Sequence, residues 1–168
     1  MRESSETLAS FMPLHRAGES DDAMFARQMD IVKREQAAGL CHRCVGFLED
    51  GRVAGGFNLN AITRGLELKA DITWWVAAPL CGRGLATEGV AALLAHALED
   101  LPRGLGLHQV QAWISRDNEA SIRLAQRVGL RRQGDTQSYL QTGERWSVHE
   151  MYARHAWDSE PDLAAIFA

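Results

Sequence analysis

A short segment with two glycines is the part of this sequence best suited to chemistry. Residues 71–77 favour a β-strand, because they combine two tryptophans with β-branched residues, and Pro79 ends it. Gly82 and Gly84 allow a tight turn, and the apolar stripe that follows predicts a helix. A strand, a glycine turn and a helix start together form an anion site, since free N–H groups and the positive end of the helix dipole meet there. Arg83 adds a positive side chain, so the segment predicts a ligand that carries phosphate.

The segment Cys41-His42-Arg43-Cys44 has a spacing that occurs in metal sites. A structural zinc ion is held by four ligands, and no second Cys/His pair stands nearby. A redox Cys-x-x-Cys pair opens a helix, whereas this segment leads into a predicted strand. We therefore expect a helix–strand connection here, with no metal ion bound and no disulfide framework.

The composition is that of an ordinary globular domain of 168 residues, 46% of them hydrophobic. The formal net charge of −4 argues against a nucleic-acid-binding surface, which is usually basic. The apolar runs are too short to span a membrane, and the first residues lack the apolar core of a signal peptide. We expect one domain over residues 1–157, a C-terminal tail over residues 158–168, and a cytoplasmic location.

Apolar periodicity and turn residues predict the elements that position the glycine turn. Their order is helix, antiparallel meander, helix, strand, helix and hairpin. The spacing places Phe25, Met29 and Val32 on one apolar face of a helix, and Gly55-Gly56 is expected to form a bulge or a close approach. The predicted helices cover residues 3–11, 23–38, 86–101 and 119–128, and the predicted strands cover residues 44–48, 53–62, 67–77, 108–115, 130–133, 138–141 and 146–153.

The stretch from Asp71 to Ile114 reads as a strand–helix–strand crossover, which makes its two strands parallel. The other strands are joined by short turns, so their neighbours are antiparallel. We therefore predict a mixed α/β fold, with a mostly antiparallel central sheet, one parallel pair and helices on both faces.

Two motifs flank the predicted strand at residues 108–115. The first is the loop Cys81-Gly82-Arg83-Gly84-Leu85-Ala86 with Thr87-Glu88, and the second is Asn118-Glu119-Ala120-Ser121 followed by Arg127-Val128-Gly129-Leu130. Together they resemble the GNAT N-acetyltransferase superfamily, especially its RimJ/RimL-like branch of ribosomal-protein N-terminal acetyltransferases, and the likeness covers residues 45–153. Three features depart from the family pattern: Cys81 replaces an Arg or Gln, the first strand of the family is missing, and Ser138 lies close to the position of a glutamate that some RimL-like enzymes use. Another segment or a second subunit is expected to cover that sheet edge.

The resemblance implies acetyl-CoA as the acyl donor. Backbone N–H groups from Gly82 to Ala86 would hold the pyrophosphate, and pantetheine would lie where two parallel strands splay apart. A backbone N–H near Val76 would polarise the thioester carbonyl. Asn118 would contact CoA, cap its helix, or do both. The implied CoA-binding set is Trp75, Val76, Ala77, Cys81, Gly82, Arg83, Gly84, Leu85, Ala86, Thr87, Asn118 and Ser121.

Acetyl transfer also needs a proton acceptor for the amine and a proton donor for the leaving thiolate. The resemblance makes Asp71 the candidate base, on one strand face with Thr73 and Trp75. The alternative is a hydrogen-bonded aspartate with no role in proton transfer. Ser121 is a candidate thiolate proton donor, or else a capping-box hydroxyl. Tyr139 is the other candidate acid, or else a core tyrosine.

The expected function is transfer of an acetyl group from acetyl-CoA to a primary amine by direct attack. The acceptor would be a protein N-terminus or a small amine, such as an amino acid, a polyamine or an antibiotic. Two other classes stay open. One is a CoA-binding sensor without turnover, and the other is a nucleotide-binding protein, although the sequence lacks P-loop and dinucleotide fingerprints. No nucleic-acid or membrane partner is expected, and a homodimer is one way to cover the sheet edge.

Overall fold

Three helices and one six-stranded sheet make up the computed structural model, which describes residues 18–142 and 145–158, without the side chains of residues 135–137, 139, 141, 142 and 145. The sheet order is β1-β2-β3-β4-β6-β5. This arrangement confirms the predicted order of elements and the mixed α/β class. The elements are α1 (Asp21–Ala37), β1 (His42–Phe47), β2 (Val53–Thr63), β3 (Lys69–Val76), α2 (Leu85–Leu98), β4 (Gln109–Ser115), α3 (Glu119–Arg127), β5 (Arg131–Thr142) and β6 (Arg145–His155).

The parallel pair predicted from the crossover is β3 with β4. These strands pair only at their beginnings, over Lys69–Asp71 and the facing residues Gln109–Gln111. Strand β4 stays paired with β6 along its whole length, and β3 stays paired with β2 as far as Val76. Because β3 and β4 separate after Asp71, an opening forms between these two strands, while each stays paired with its other neighbour.

The core lies between one face of the sheet and helices α2 and α3. Strand β4 directs Val110, Ala112 and Ile114 into this core, as its alternating pattern predicts. Leu94 of α2 is completely buried. Gly89 of α2 lies against the ring of Phe57, so closely that a Cβ atom there would overlap the ring. This contact sets how near α2 approaches β2, and hence where the start of α2 stands.

Helix α1 precedes β1 in the chain, and it buries a different residue from the one expected. Ser20 caps the helix by accepting a hydrogen bond from the Ala23 N–H at 3.3 Å. Met24 is 6% exposed, whereas Phe25 is 55% and Met29 37% exposed. The predicted apolar face was wrong in this respect, because spacing shows which residues share a face but not which face meets the sheet. None of the described helices is long and apolar enough to cross a membrane.

One other expectation needed correction. The strands predicted at residues 130–133 and 138–141 are one strand, β5, whose pairing with β6 is irregular between Arg132 and Gln137. The expectation of a bulge or a close approach at Gly55-Gly56 is confirmed, and the β1–β2 register also shifts next to Gly55, between the pairs Gly46–Gly55 and Phe47–Val53. The two glycines are a close approach, because Cβ atoms there would overlap the backbone and the indole of Trp75.

Strand β1 forms an edge of the described sheet. Val45 and Phe47 on this strand are 54% and 65% exposed. Among the described residues this apolar edge has no strand partner, and the expectation that an earlier strand is missing concerns residues 1–17, which lie outside the described residues. The helix predicted at residues 3–11 and most of the predicted tail lie outside the described residues.

Candidate active site

The glycine turn ends in a helix start with no side-chain cap. Gly82 and Gly84 have φ values of +77° and +82°, in the left-handed region that favours glycine. Gly84 is the N-cap of α2, and the first helical hydrogen bond runs from the Glu88 N–H to the Gly84 carbonyl at 3.0 Å. The three N–H groups of residues 85–87 precede that bond, so they have no partner inside the helix. The turn thus presents unpaired donors at the positive end of a helix dipole.

The other two described helices differ at this position. Ser20 caps α1, and the Asn118 side chain caps α3 by accepting from the Ser121 N–H at 3.1 Å. Only α2, among the α-helices that the structure describes, begins without such an acceptor. A Cβ built on Gly82 meets no described atom within 4 Å, and Arg83 is exposed. The turn is therefore open enough to receive an anionic group such as a pyrophosphate.

The separation of β3 from β4 supplies an opening next to this turn. Residues 72–76 of β3 have a strand partner on the β2 side only, since pairing with β4 ends at Asp71. Trp74 packs against the core, and the indole of Trp75 lies over Gly56 on the opposite face. The Ala77 N–H is used, because it donates to the Ala54 carbonyl at 2.9 Å. The Trp75 carbonyl lies against Gly55 of β2, so strand alternation turns the backbone N–H of Val76 toward the opening.

Cys81 stands at the entrance to the turn. Its thiol is exposed and lies 3.7 Å from the Ala77 carbonyl oxygen. Its backbone N–H donates to the Ala78 carbonyl at 3.3 Å and closes a short 3₁₀ turn over Ala78–Leu80. Cys81 therefore shapes the approach to the turn through its backbone, whereas an Arg or Gln at this place would add a polar side chain.

Asp71 lies where the parallel pair ends. It is half-buried, and its Oδ1 accepts a hydrogen bond from Gln111 Nε2 at 2.7 Å. On the other side, Asn60 Nδ2 donates to Thr73 Oγ1 at 3.0 Å and to the Asp71 carbonyl at 3.4 Å. Strand alternation puts Asp71, Thr73 and Trp75 on one face, as expected. The carboxylate thus stands beside the opening with one oxygen occupied by an amide.

The starts of α2 and α3 lie at the same end of the sheet, because each helix follows the carboxyl end of one strand of the parallel pair. The Asn118 N–H donates to the Ser115 carbonyl at 2.9 Å. A capping box would have needed the Ser121 side chain on that N–H. The cap therefore uses the Asn118 side chain and the Ser121 backbone, and the Ser121 hydroxyl takes no part in it.

Tyr139 belongs to β5, two strands away from β4. Its backbone pairs with Val148, one residue beyond the His149 that faces Ser115 at the end of β4. The register thus places residue 139 level with the carboxyl end of β4. The Tyr139 side chain lies outside the described side chains.

One cluster was not anticipated from the sequence. Glu150 of β6, 9% exposed, accepts hydrogen bonds from Arg116 at 2.8 Å and from Arg132 at 2.9 and 3.0 Å. Arg132 first and then Arg116 lower the pKa of Glu150. The cluster ties the turn before Asn118 to the irregular part of β5. The sequence gives no local signal for this cluster, since Arg116 and Arg132 stand 34 and 18 residues away from Glu150.

The Cys41–Cys44 segment forms a connection into β1, and its polar atoms face different neighbours. Cys41 is buried, with its thiol 3.9 Å from the Val32 carbonyl oxygen. His42 faces His96 of α2, with the ring centroids 5.4 Å apart. Within residues 18–142 and 145–158, no three His, Cys, Asp or Glu side chains lie close enough together to hold a metal ion.

A sheet opened at a parallel pair, beside an uncapped helix start, is an arrangement that can bind an acyl-CoA thioester. The family model described as "Acetyltransferase (GNAT) domain" matches residues 1–131 of this chain. The chain therefore belongs to the GNAT acetyltransferase family, and its activity is acetyl-CoA-dependent N-acetylation of amines.

Individual relatives agree with this assignment. "Putative ribosomal N-acetyltransferase YdaF" from Bacillus subtilis (strain 168) is 26% identical over 129 residues, which cover 76% of this chain and 68% of that protein. Mycobacterium smegmatis RimJ in complex with CoA-disulfide has a TM-score of 0.79 and 24% identity, over 94% of this chain and 75% of RimJ. RimL, the ribosomal L7/L12 α-N-protein acetyltransferase in complex with coenzyme A, has a TM-score of 0.73 and 21% identity, over 92% of this chain and 83% of RimL. These structures share the fold of the chain.

Proposed function

We propose that this protein acetylates a protein N-terminus or a small-molecule amine, with the glycine turn and the opening between β3 and β4 as its acetyl-CoA site. The observation that carries the proposal is the uncapped start of α2 beside that opening. Three unpaired N–H groups suit a pyrophosphate, and the separated strand edge suits the extended pantetheine arm. The residues we assign to binding acetyl-CoA are Trp75, Val76, Ala77, Cys81, Gly82, Arg83, Gly84, Leu85, Ala86, Thr87, Asn118 and Ser121.

Bound acetyl-CoA supplies the acetyl group as a thioester. In the transfer, the amine nitrogen bonds to the acetyl carbon and the carbon–sulfur bond breaks. The amine must lose a proton and the thiolate must gain one. We assign removal of the amine proton to Asp71, directly or through water, because its carboxylate stands where β3 and β4 separate. A backbone N–H near Val76 would stabilise the charge that develops on the carbonyl oxygen.

We assign protonation of the thiolate to Ser121, with Tyr139 as the second candidate. The helix cap leaves the Ser121 hydroxyl available, and α3 starts at the end of the sheet where the opening lies. The register also supports Tyr139, because residue 139 is level with the end of β4. A phenol with a pKa of about 10 can protonate a thiolate whose own pKa is about 8.5. Replacing each hydroxyl separately, with Ser121→Ala and Tyr139→Phe, distinguishes them by the loss of kcat.

We favour a protein N-terminus as the acceptor. YdaF is named as a ribosomal N-acetyltransferase, and RimJ and RimL carry the names of the ribosomal-protein branch. The described strand surface around Asp71 carries the amides of Asn60, Gln109 and Gln111. A polyamine would instead be attracted by several carboxylates. We also propose a cytoplasmic enzyme that needs no metal, with one domain over residues 1–157 and a tail over residues 158–168.

The test is release of free CoA thiol from acetyl-CoA with a panel of peptides, amino acids, polyamines and antibiotics. We expect turnover with an amine, highest for peptides with a free N-terminus, and a mass increase of one acetyl group on that amine. Acetylation of N-terminally blocked peptides at lysine would contradict the proposed acceptor. Tight acetyl-CoA binding without product from any amine would instead support a CoA-binding sensor.

A further inference from the structure

A row of side-chain amides on β4 leads to Asp71. Gln109 and Gln111 lie two residues apart and therefore on the same face of the strand. Gln109 Nε2 donates to Gln111 Oε1 at 3.1 Å, and Gln111 Nε2 donates to Asp71 Oδ1 at 2.7 Å. Asp71 and Gln111 are also the last paired positions of the parallel strands. The row thus ends where β3 and β4 separate.

The direction of this row is fixed by its chemistry. A side-chain amide has one accepting end and one donating end, and an ionised carboxylate only accepts. Because the oxygen of Gln111 accepts from Gln109, its NH₂ group faces Asp71. Turning the Gln111 amide over would set its oxygen against the carboxylate oxygen. Gln109, which does not touch Asp71, supports this orientation by donating to the Gln111 oxygen.

The surroundings leave the other carboxylate oxygen to the opening. Gln111 supplies the one hydrogen bond to the Asp71 carboxylate among the described residues. Asn60, on the β2 side, is engaged with the Thr73 hydroxyl and the Asp71 backbone carbonyl instead. Ala61, next to Asn60, has a φ of +47° in a bulge of β2. Bulges of this kind re-aim neighbouring side chains.

We propose that Gln111, oriented by Gln109, is a positioning residue that holds Asp71 Oδ1 and so presents Oδ2 as the proton acceptor. The inference rests on the proposed function, in which Asp71 accepts the proton of the amine. Neither glutamine needs to touch the acceptor or acetyl-CoA. Their effect is to remove the rotational freedom of a short side chain at the place where the strand pairing ends.

The decisive variants act at Gln109, away from the carboxylate. Gln109→Glu can only accept, so it no longer donates to the Gln111 oxygen and it competes with Asp71 for the Gln111 NH₂ group. Gln109→Lys can only donate, which preserves the wild-type direction. We expect kcat to fall roughly 10- to 100-fold in Gln109→Glu and in Gln111→Met, but less than about threefold in Gln109→Lys. The KM for acetyl-CoA should stay within about twofold in all three.

A charge effect must be separated from an orientation effect. Lys69 on β3, Arg43 on β1, Arg131 on β5 and His155 on β6 share the face of Asp71 by strand register. A new charge among these groups would shift the acid limb of the pH–kcat/KM profile and leave the plateau unchanged. Loss of orientation lowers the plateau itself. Gln36→Glu, the same substitution on the exposed last turn of α1, controls for added charge.

The assay uses acetyl-CoA and the amine that gives the highest turnover in the panel, with Asp71→Asn measured in parallel. If Asp71→Asn is inactive while Gln109→Glu and Gln111→Met keep full plateaus, the positioning role is refuted and the proposed base stands. If Asp71→Asn is fully active, the proposed base is refuted.

A spectroscopic readout tests the contact without turnover. The Gln111 side-chain NH₂ resonances, identified by their loss in Gln111→Met, should move upfield in Asp71→Ala, which removes their acceptor. Resonances that stay in place in Asp71→Ala would refute the hydrogen-bonded row.

Discussion

Replacing Gly82 by aspartate tests the pyrophosphate site against a matched position in the same chain. Gly82 and Gly51 have φ values of +77° and +82°. A Cβ atom at either position meets no described atom within 4 Å. Gly51 lies in the turn between β1 and β2, on another part of the molecule. Each aspartate therefore carries a similar backbone cost, about 1–2 kcal/mol, since aspartate must enter the left-handed region.

The cofactor separates the two variants. Acetyl-CoA at about 100 times its Kd stabilises the wild type by about 2.7 kcal/mol. For a domain of this size that raises the Tm by roughly 5–11 °C. In Gly82→Asp the added carboxylate stands in the turn before α2 and repels the pyrophosphate. A 100-fold weaker Kd reduces the gain to about 0.4 kcal/mol at the same concentration, which is a shift of about 1 °C.

Thermal unfolding with and without acetyl-CoA, together with titration calorimetry, measures both effects. Without ligand, Gly82→Asp and Gly51→Asp should show similar decreases in Tm of about 2–8 °C. With ligand, Gly51→Asp should regain the full wild-type increase, and Gly82→Asp almost none. Equal ligand-induced shifts in the two variants would show that the glycine turn does not hold the pyrophosphate.

Three further predictions concern the framework of the site. Burial, and then the neighbouring His96, lower the pKa of His42 below its usual 6.5. Because the unfolded chain binds the proton more readily, neutral His42 contributes stability above pH 6.5, and this contribution is lost as the pH falls through the folded pKa. The Tm should therefore fall on acidification, and it should fall less in His42→Gln. Gly89→Ala should lower the free energy of unfolding by about 1–3 kcal/mol, because the overlap with Phe57 outweighs the better helix propensity of alanine, and Phe57→Leu should restore part of it. Solution scattering should give the mass of a dimer if a second copy covers the apolar edge at β1, and the mass of a monomer would reject that arrangement.

Structural elements that depend on residues close together in the chain were predictable from the sequence. The alternation of Val110, Ala112 and Ile114 defined β4, and all three are buried as expected. The glycine turn was predictable because positive φ values depend on residue type, and both Gly82 and Gly84 adopt them. The same locality made the start of α2 predictable, and the proposal that it binds an anion could be made from the residue types of the turn.

Features that depend on which surfaces meet were not predictable in the same way. The buried face of α1 carries Met24 instead of Phe25 and Met29, because periodicity does not identify the partner surface. The Glu150 cluster joins three chain segments that only the sheet order brings together. The continuity of β5 was also missed, since an irregular register around residues 132–137 interrupts the pattern that marks a strand.

The relation between Asp71 and the opening shows what register adds to sequence. Alternation alone places Asp71 on a strand face, but it says nothing about where the pairing with β4 stops. In the structure the pairing stops at Asp71 itself, opposite a glutamine that is 40 residues away in the chain. The end of pairing at Asp71 thus exposes the strand edge that would bind pantetheine and places a carboxylate beside it. If pairing continued even two residues further, to Thr73, the opening would begin beyond the carboxylate, and Asp71 would be enclosed between paired strands instead of facing an incoming amine.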